Sequence, residues 1–242
     1  MFYTQSQWLL LFFLYCVAGW VWESLYVSIR KRSWVNRGFL HGPWLPIYGT
    51  GAILILFTTL PCQEDLPLTF LVGMVTATLL EGATGMVMER VFHMRWWDYS
   101  DKPLNWKGYI CLSVTVAWGF FSLLLVYVLH PPMERLLLWI PQWLVEPAVL
   151  LLTILFVVDA TKSIQDALGL KSLMIRLSEH RPSPERLQTL LSYGKGHWRT
   201  RSLHRAMSIL QRNPSAMSHH HREAFVSLKN LKKIKAYKNK RV

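Results

Sequence analysis

Two carboxylates lie inside stretches of sequence that are otherwise apolar. Glu23 comes seven residues before Arg30, and Glu81 comes nine residues before Arg90. At about 1.5 Å of rise per helical residue, these separations place the acids about 10 and about 13 Å from the basic residues that end each apolar run. A charged carboxylate at such a depth in a membrane costs a few kcal/mol unless a partner, a proton or water offsets it. The pattern therefore predicts a polar site inside a helical bundle.

The same acids also fit a structural role. An ion pair with Arg37, Arg90 or Arg95 would satisfy a carboxylate without any ligand. Glu89 is adjacent to Arg90 and therefore lies closer to water, so it fits a structural or a functional role equally well. Both interpretations stay open on the sequence alone.

The composition indicates a membrane protein with a basic tail. The chain has 242 residues, of which 52% are hydrophobic, and a formal net charge of +13. Several windows of about twenty residues lack charge, which is the length needed to cross a hydrocarbon core. The three cysteines are scattered, which argues against a disulfide framework or a Cys-based metal site. We expect an apolar membrane part over residues 1–165 and a basic part over residues 166–242.

The hydropathy predicts an all-α, polytopic membrane protein with about five spans. The expected spans are residues 6–29, 43–60, 68–89, 108–129 and 144–161. We interpret the first as a retained span and not as a signal peptide. Lys and Arg concentrate in alternate loops, which predicts an outside N-terminus and an inside C-terminus. The sequence His130-Pro131-Pro132 is expected to break the helix, leaving residues 133–142 as an amphipathic segment on the outer surface.

The tail over residues 166–242 is predicted to be cytoplasmic and helical. Helices are expected at residues 168–177, from Ser183, at 203–210 and from Glu223. The last of these is basic and amphipathic, which is typical of binding to anionic lipid, so no nucleic acid is expected. The tract His219-His220-His221 has no cysteine or acid at ligand spacing, and we predict no metal there.

Two loops carry further groups able to hold a ligand. Glycines and prolines interrupt residues 38–51, and irregular backbone at membrane depth survives only inside protein or beside a water-filled cavity. We expect this loop to fold beside Glu23, although a plain surface loop is the alternative. The segment Arg95–Ser100 combines a guanidinium, two indoles, an acid and a phenol. It fits a lipid head group or an anionic substrate, or else an aromatic belt with a salt bridge.

The candidate binding residues lie in these spans and loops. They are Glu23, Asn36, Arg37, Gly38, Tyr48, Glu81, Glu89, Arg95, Trp97, Asp98 and Asn105. The chain has no G-x-x-x-x-G-K-[ST] loop, so it is not itself a P-loop ATPase. It has no G-x-S-x-G nucleophile motif either, and no cofactor is predicted.

Three motifs resemble a known family. They are Trp22-Glu23, the run from Asn36-Arg37-Gly38-Phe39-Leu40 to Gly51-Ala52, and Arg95-Trp96-Trp97-Asp98-Tyr99-Ser100 followed by Pro103, Asn105 and Gly108. Together with Glu81 and Met88-Glu89, they are similar to the ABC-transporter type IV (CmpB-like) family of bacterial membrane proteins over about residues 8–165. The resemblance implies a permease-like subunit of the bacterial plasma membrane that needs a separate ATPase subunit.

Three functions are compatible with these observations. The first is a transporter permease subunit with a pocket lined by Glu23 and Glu81; five spans make a small pathway, so a homo- or hetero-oligomer is expected. The second is a membrane-embedded enzyme acting on a lipid or polyprenyl head group, with Glu23, Glu81 and Asp98 as acid or base. The third is a membrane scaffold whose tail recruits partners.

Overall fold

The structure, a computed structural model, describes residues 3–180, 208–210, 212–213, 216–223 and 225–226. The chain divides into two compact units. The first comprises Met1–Met86 and Asp98–Ala160, and the second comprises Val87–Trp97 and Thr161–Val242. The tail helices predicted from Ser183 and from Glu223 onward lie mostly or wholly outside the described residues.

Helices account for most of the described residues. They are α1 (Gln5–Lys31), α2 (Pro46–Thr59), α3 (Leu66–Phe92), α4 (Leu112–Leu124), α5 (His130–Trp139) and α6 (Gln142–His180). A 3-10 turn at Leu60–Cys62 follows α2, and a π-helical turn at Leu125–Leu129 joins α4 to α5. Two short strands, β1 (Asn105–Trp106) and β2 (Ile110–Cys111), pair antiparallel in the loop between α3 and α4.

The all-α membrane class predicted from the sequence is confirmed. Four of the five predicted spans are helices long and apolar enough to cross a membrane, over Gln5–Lys31, Leu66–Phe92, Leu112–Trp139 and Gln142–Glu179. The predicted second span is a shorter apolar helix, Pro46–Cys62. Pro46 stands in its first turn, where a missing N–H costs nothing and the fixed φ favours a helix start. The predicted orientation stays a prediction.

The predicted break at His130-Pro131-Pro132 is wrong. The helix continues through the prolines to Trp139 because a wide π turn precedes them. The amide of His130 bonds the carbonyl of Leu125, five residues back. Such a turn relaxes the i→i−4 pattern just where two proline rings would clash with preceding carbonyls and supply no N–H. Residues 133–139 therefore extend the span and do not form a separate surface helix.

The last long helix passes through the predicted boundary at residue 165. The sequence predicted separate helices at 144–161 and 168–177, but α6 covers both without interruption. Pro147 lies in the second turn of α6, where its missing N–H removes one i→i−4 bond, and the helix nevertheless continues. The boundary between membrane part and tail stays a prediction that falls inside one helix.

The core of the first unit draws on five helices and the π turn. One cluster of buried apolar residues joins α1, α2, α3, the π turn, α5 and α6: Leu10, Leu11, Tyr15, Ala52, Ile55, Leu56, Ala77, Leu125, Val126, Leu137, Val145 and Val149. A second cluster, Phe13, Cys16, Leu40 and Trp44, packs the loop after α1 against that helix. Helix α1 is thus the common partner of both clusters.

Close contact between α1 and α2 depends on two glycines. A Cβ at Gly49 would lie 2.4 Å from the sulfur of Cys16 and 2.7 Å from the carbonyl oxygen of Phe12. A Cβ at Gly19 would lie 2.3 Å from Cγ of Tyr48. Real Cβ contacts do not occur at these distances, so the helices can be this close only where one of them lacks a side chain.

This contact yields a prediction for Gly49→Ala. The methyl group meets a backbone carbonyl of α1, which cannot rotate away, so we expect overpacking to cost about 1–3 kcal/mol. The midpoint of thermal unfolding in detergent should fall by several degrees.

The matched control is Gly51→Ala, two residues along the same helix. A Cβ there meets Cδ2 of Leu80 at 3.5 Å, an ordinary contact, and alanine is the better helix former. Equal midpoints for the two variants would contradict the assigned role of Gly49.

Candidate functional site

Both oxygens of the Glu23 carboxylate have partners from outside α1. The hydroxyl of Tyr48, on α2, donates to Oε1 at 2.9 Å. The guanidinium Nε of Arg37, in the loop between α1 and α2, donates to Oε2 at 3.3 Å. The pair is partly buried, with 29% of the Glu23 side chain and 18% of the Arg37 side chain exposed. These three residues are among the eleven predicted binding residues, and the structure brings them together. Their role in binding stays a prediction.

Two serines of α1 hold the loop that delivers Arg37. The Oγ of Ser24, which is fully buried, accepts the amide of Arg37 at 3.1 Å. One turn further along, the Oγ of Ser28 accepts the amide of Val35 at 2.9 Å. The loop therefore runs back along the helix it has just left, and Arg37 arrives beside Glu23.

Asn36 and Gly38 shape the same loop. The Asn36 side chain accepts a bond from the Trp20 indole at 2.6 Å and donates to the carbonyl of His41 at 2.7 Å. Gly38 has a φ of 129°, which L side chains rarely adopt, and a Cβ there would lie 2.8 Å from Leu45. Both predicted residues support the backbone around Arg37, and their role as ligands stays a prediction.

A carboxylate near the end of the last span fastens the loop. Asp159, on α6, accepts the amides of His41 at 3.0 Å and Gly42 at 2.8 Å, one on each oxygen. Asp159 is not among the binding residues predicted from the sequence. Its only signal was an acid at the end of a stretch free of charge from Ala148 to Val158.

Glu81 is the more deeply buried acid, with 5% of the residue exposed. Its Oε1 accepts the hydroxyl of Tyr99 at 3.0 Å, and its Oε2 accepts the indole N–H of Trp118 at 3.0 Å. Both donors are neutral, so they solvate the carboxylate without cancelling its charge. Sequence reasoning missed Trp118, because an indole in an apolar span gives no polar signal.

Tyr99 interacts with both Glu81 and Glu23. Besides bonding Glu81, it interacts electrostatically with Glu23 and with Tyr48. Burial, and then the Glu81 carboxylate, raise the pKa of Tyr99 above its ordinary value, so the phenol keeps its proton and donates it. The two bonded pairs, Glu23 with Tyr48 and Glu81 with Tyr99, thus interact electrostatically, and we call these four residues the carboxylate cluster.

The loop that carries Tyr99 is held by its own polar residues. The amide of Tyr99 bonds the carbonyl of Gly108 at 2.9 Å. Asn105 donates to the carbonyls of Ser100 and Lys102 at 3.2 and 2.8 Å and accepts the Gly108 amide at 3.0 Å.

Two further predicted residues stand next to Tyr99. The carboxylate of Asp98 accepts the amide and hydroxyl of Ser100, and Trp97 is half-buried. The described bonds of Asn105 and Asp98 thus position Tyr99. That these residues or Trp97 contact a ligand stays a prediction.

In the second unit, Glu89 and Arg95 form a buried ion pair. Nε of Arg95 donates to Oε2 of Glu89 at 2.6 Å, and 8% and 14% of the Glu89 and Arg95 side chains are exposed. The backbone of Arg95 also pairs with that of Met217 in both directions, at 2.8 and 2.9 Å. The structure therefore pairs Arg95 with Glu89, and a role of either residue in binding a ligand stays a prediction.

Histidines gather beside that pair. The ring of His93 stacks on those of His220 and His221, with centroids 4.9 and 5.6 Å away, and its Nδ1 lies 3.3 Å from Nε2 of His221. The hydroxyl of Ser218 bonds the carbonyl of His93 at 2.7 Å. Within the described part of the chain, no group of three or more potential ligands is arranged to hold a metal ion.

Fold and site together define an α-helical membrane protein with carboxylates that are bonded by groups from other segments. The sequence model of the family described as "Putative ABC-transporter type IV" matches residues 10–164, which is more than half of the chain. The chain belongs to this family, and the resemblance drawn from its motifs is confirmed. No curated protein and no solved structure matches the chain.

The histidine contacts predict that the segment 216–221 loosens in acid. Burial, and then Lys171 and the neighbouring histidines, lower the pKa of His93 below its ordinary value of 6.5. Burial, His220 and Lys171 lower that of His221 in the same way. Because the folded form binds fewer protons than the unfolded form, this stability is present above about pH 6.5 and is lost as the pH falls below it.

Hydrogen exchange at about pH 7.5 and about pH 5.5, on either side of the ordinary histidine pKa, checks this expectation. Protection factors, corrected for intrinsic exchange, should drop for residues 216–221. They should stay constant for the hairpin Asn105–Cys111, which has no histidine and serves as the internal control. A drop of equal size in both segments would contradict the assignment to His93 and His221.

Proposed function

We propose that this protein is the permease-like subunit of a transporter in the bacterial plasma membrane, with the carboxylate cluster as its substrate-binding pocket. The observation that carries the proposal is that two acids on different spans are both bonded by groups from other segments: Glu23 by Tyr48 and Arg37, and Glu81 by Tyr99 and Trp118. Acids inside membrane spans that face the interior of the helical bundle are typical of a transport pathway or a binding site.

The charge of the cluster indicates what it favours. Arg37 neutralises Glu23, whereas the described donors to Glu81 are neutral. The cluster therefore carries one excess negative charge when both acids are ionised. A cation, a proton or a substrate rich in hydrogen-bond donors suits such a site better than an anion does.

A separate ATPase subunit is part of the proposal. The family description names an ABC transporter, and the chain has no phosphate-binding loop of its own. Five apolar helices make a small pathway, so we further propose that the chain works as a homo- or hetero-oligomer. The basic tail, with most of the excess positive charge, is proposed to face anionic lipid on the cytoplasmic side.

Glu81→Gln and Glu23→Gln should each abolish transport while leaving expression and membrane insertion near wild type. Glutamine keeps the size and the hydrogen-bond acceptor but removes the charge that attracts the substrate. The readout is turnover by the assembled complex in liposomes, alongside the thermal midpoint of each purified variant.

Glu146→Gln is the matched control, because Glu146 lies on α6 with its side chain exposed and away from the cluster's described bonds. It should retain wild-type turnover. If the two cluster variants instead fail to accumulate as folded protein, the acids are structural and the pocket is disproved.

Purification in mild detergent under native expression should recover an ATPase subunit with the chain. Its identification by mass spectrometry, together with ATP hydrolysis by the purified complex, supports the permease. A soluble partner without ATPase activity would point to the scaffold, and a lipid bound with its head group at Arg95–Tyr99 would point to the enzyme. Either result would overturn the proposal.

A further inference from the structure

A second polar group lies within the first unit, apart from the carboxylate cluster. The imidazole of His130 is buried, with 3% of the residue exposed. Its Nε2 lies 3.0 Å from the hydroxyl of Tyr3, and its Nδ1 lies 3.0 Å from the hydroxyl of Tyr15. The Tyr3 hydroxyl in turn donates to Oε1 of Glu134 at 2.5 Å. These four residues form a continuous hydrogen-bonded chain, which we call the histidine chain.

The hydrogens of this chain all point one way. Tyr3 has a single hydroxyl hydrogen and gives it to the Glu134 carboxylate, which when ionised can only accept. The Tyr3 oxygen must then accept from His130, so Nε2 carries the hydrogen. Nδ1 is left as an acceptor and receives the hydroxyl of Tyr15. The order is Tyr15 to His130, His130 to Tyr3, and Tyr3 to Glu134.

The π turn places the imidazole in this chain. This turn contains one residue more than a regular α-helical turn, because the amide of His130 bonds the carbonyl of Leu125, five residues earlier. The prolines that follow hold the local geometry, since neither can return to a regular i→i−4 bond. Single π turns inside α-helices frequently occur at functional sites.

The histidine chain leads along α1 toward the carboxylate cluster. Tyr15, Gly19 and Glu23 are spaced four residues apart and share one face of the helix. Tyr48 packs on Gly19 and donates to Glu23. The rise along α1 from Tyr15 to Glu23 is about 12 Å at about 1.5 Å per residue.

We propose that the histidine chain is a proton-transfer relay, with the proton as its ligand. In one step the Glu134 carboxylate takes the Tyr3 hydroxyl proton and Tyr3 takes the Nε2 proton. Nδ1 takes the Tyr15 proton, and Tyr15 takes a replacement proton from a hydronium ion, which is left as water. Each O–H or N–H bond broken is matched by one formed, and one proton moves to Glu134. Rotation of the hydroxyls and tautomerisation of the imidazole return the chain to its starting arrangement. The same transfers in reverse order move a proton from Glu134 to Tyr15.

This inference goes beyond the proposed permease, and its test uses the purified chain alone. The protein is reconstituted in liposomes that enclose a pH-sensitive dye, and a potassium gradient with valinomycin supplies the driving force. We expect wild-type protein to carry protons faster than protein-free liposomes do. Tyr15→Phe and His130→Gln should reduce the rate to the protein-free level, because phenylalanine removes one hydroxyl and glutamine cannot exchange a proton between two nitrogens.

Tyr127→Phe is the matched control. Tyr127 lies in the same π turn, but its hydroxyl donates to the carbonyl of Gln63, outside the histidine chain. This variant should conduct as wild type does. Circular dichroism and thermal midpoints show that the variants fold, and Tyr15→Phe keeps the buried ring even if His130→Gln proves unstable.

A second measurement tests the hydrogen order directly. Nitrogen-15 NMR of histidine-labelled protein, with His130 assigned by difference against His130→Gln, should show the Nε2–H tautomer at neutral pH. The opposite tautomer, wild-type conduction by Tyr15→Phe, or no proton flux by wild-type protein would each overturn the relay. None of these results touches the ATPase or the Glu81→Gln outcome, so the relay and the permease can fail separately.

Discussion

The structure depends on carboxylates that are bonded by groups from other segments. Neither Glu23 nor Glu81 finds its described partners on its own helix: Tyr48 and Arg37 serve the first, and Tyr99 and Trp118 serve the second. A buried carboxylate must be solvated by the protein, because little water is present to do so. The loops after α1 and α3 therefore fold back onto the helices, and Ser24, Asp159 and Asn105 fix them there.

Much of the fold follows from the length and apolarity of the helices. Four of the five expected spans are helices long enough to cross a membrane, because about twenty apolar residues have few alternatives in lipid. The helix break expected at Pro131 does not occur, because a π turn precedes the prolines and the helix continues through them. A hydropathy pattern holds no information about such a turn. The separate helices expected around residue 165 are one, since polarity changes there without any helix-ending residue.

The charged residues of the site could be predicted from the sequence, but the neutral side chains that donate hydrogen bonds to them could not. Glu23, Arg37 and Tyr48 were all predicted as binding residues, and they are in contact. A carboxylate and a guanidinium in apolar surroundings are expected to pair, because pairing offsets the cost of burying each charge. Trp118 and Tyr15 resemble ordinary apolar or interfacial aromatics in the sequence, and only their partners reveal a polar role. Several acids lie near Arg95 in the sequence, which therefore did not identify its partner. The structure pairs Arg95 with Glu89.

The two glycines between α1 and α2 also decide which members of the carboxylate cluster can move apart. With Gly49 against the Phe12 carbonyl and Gly19 beneath the Tyr48 ring, the two helices cannot slide past each other without collision. Glu23 and Tyr48 therefore travel together as one rigid body. The loop with Tyr99 meets the cluster chiefly through a single side chain, which rotation about two bonds can withdraw. Tyr99 is therefore the member of the carboxylate cluster that can separate from the others while α1 and α2 keep their contact.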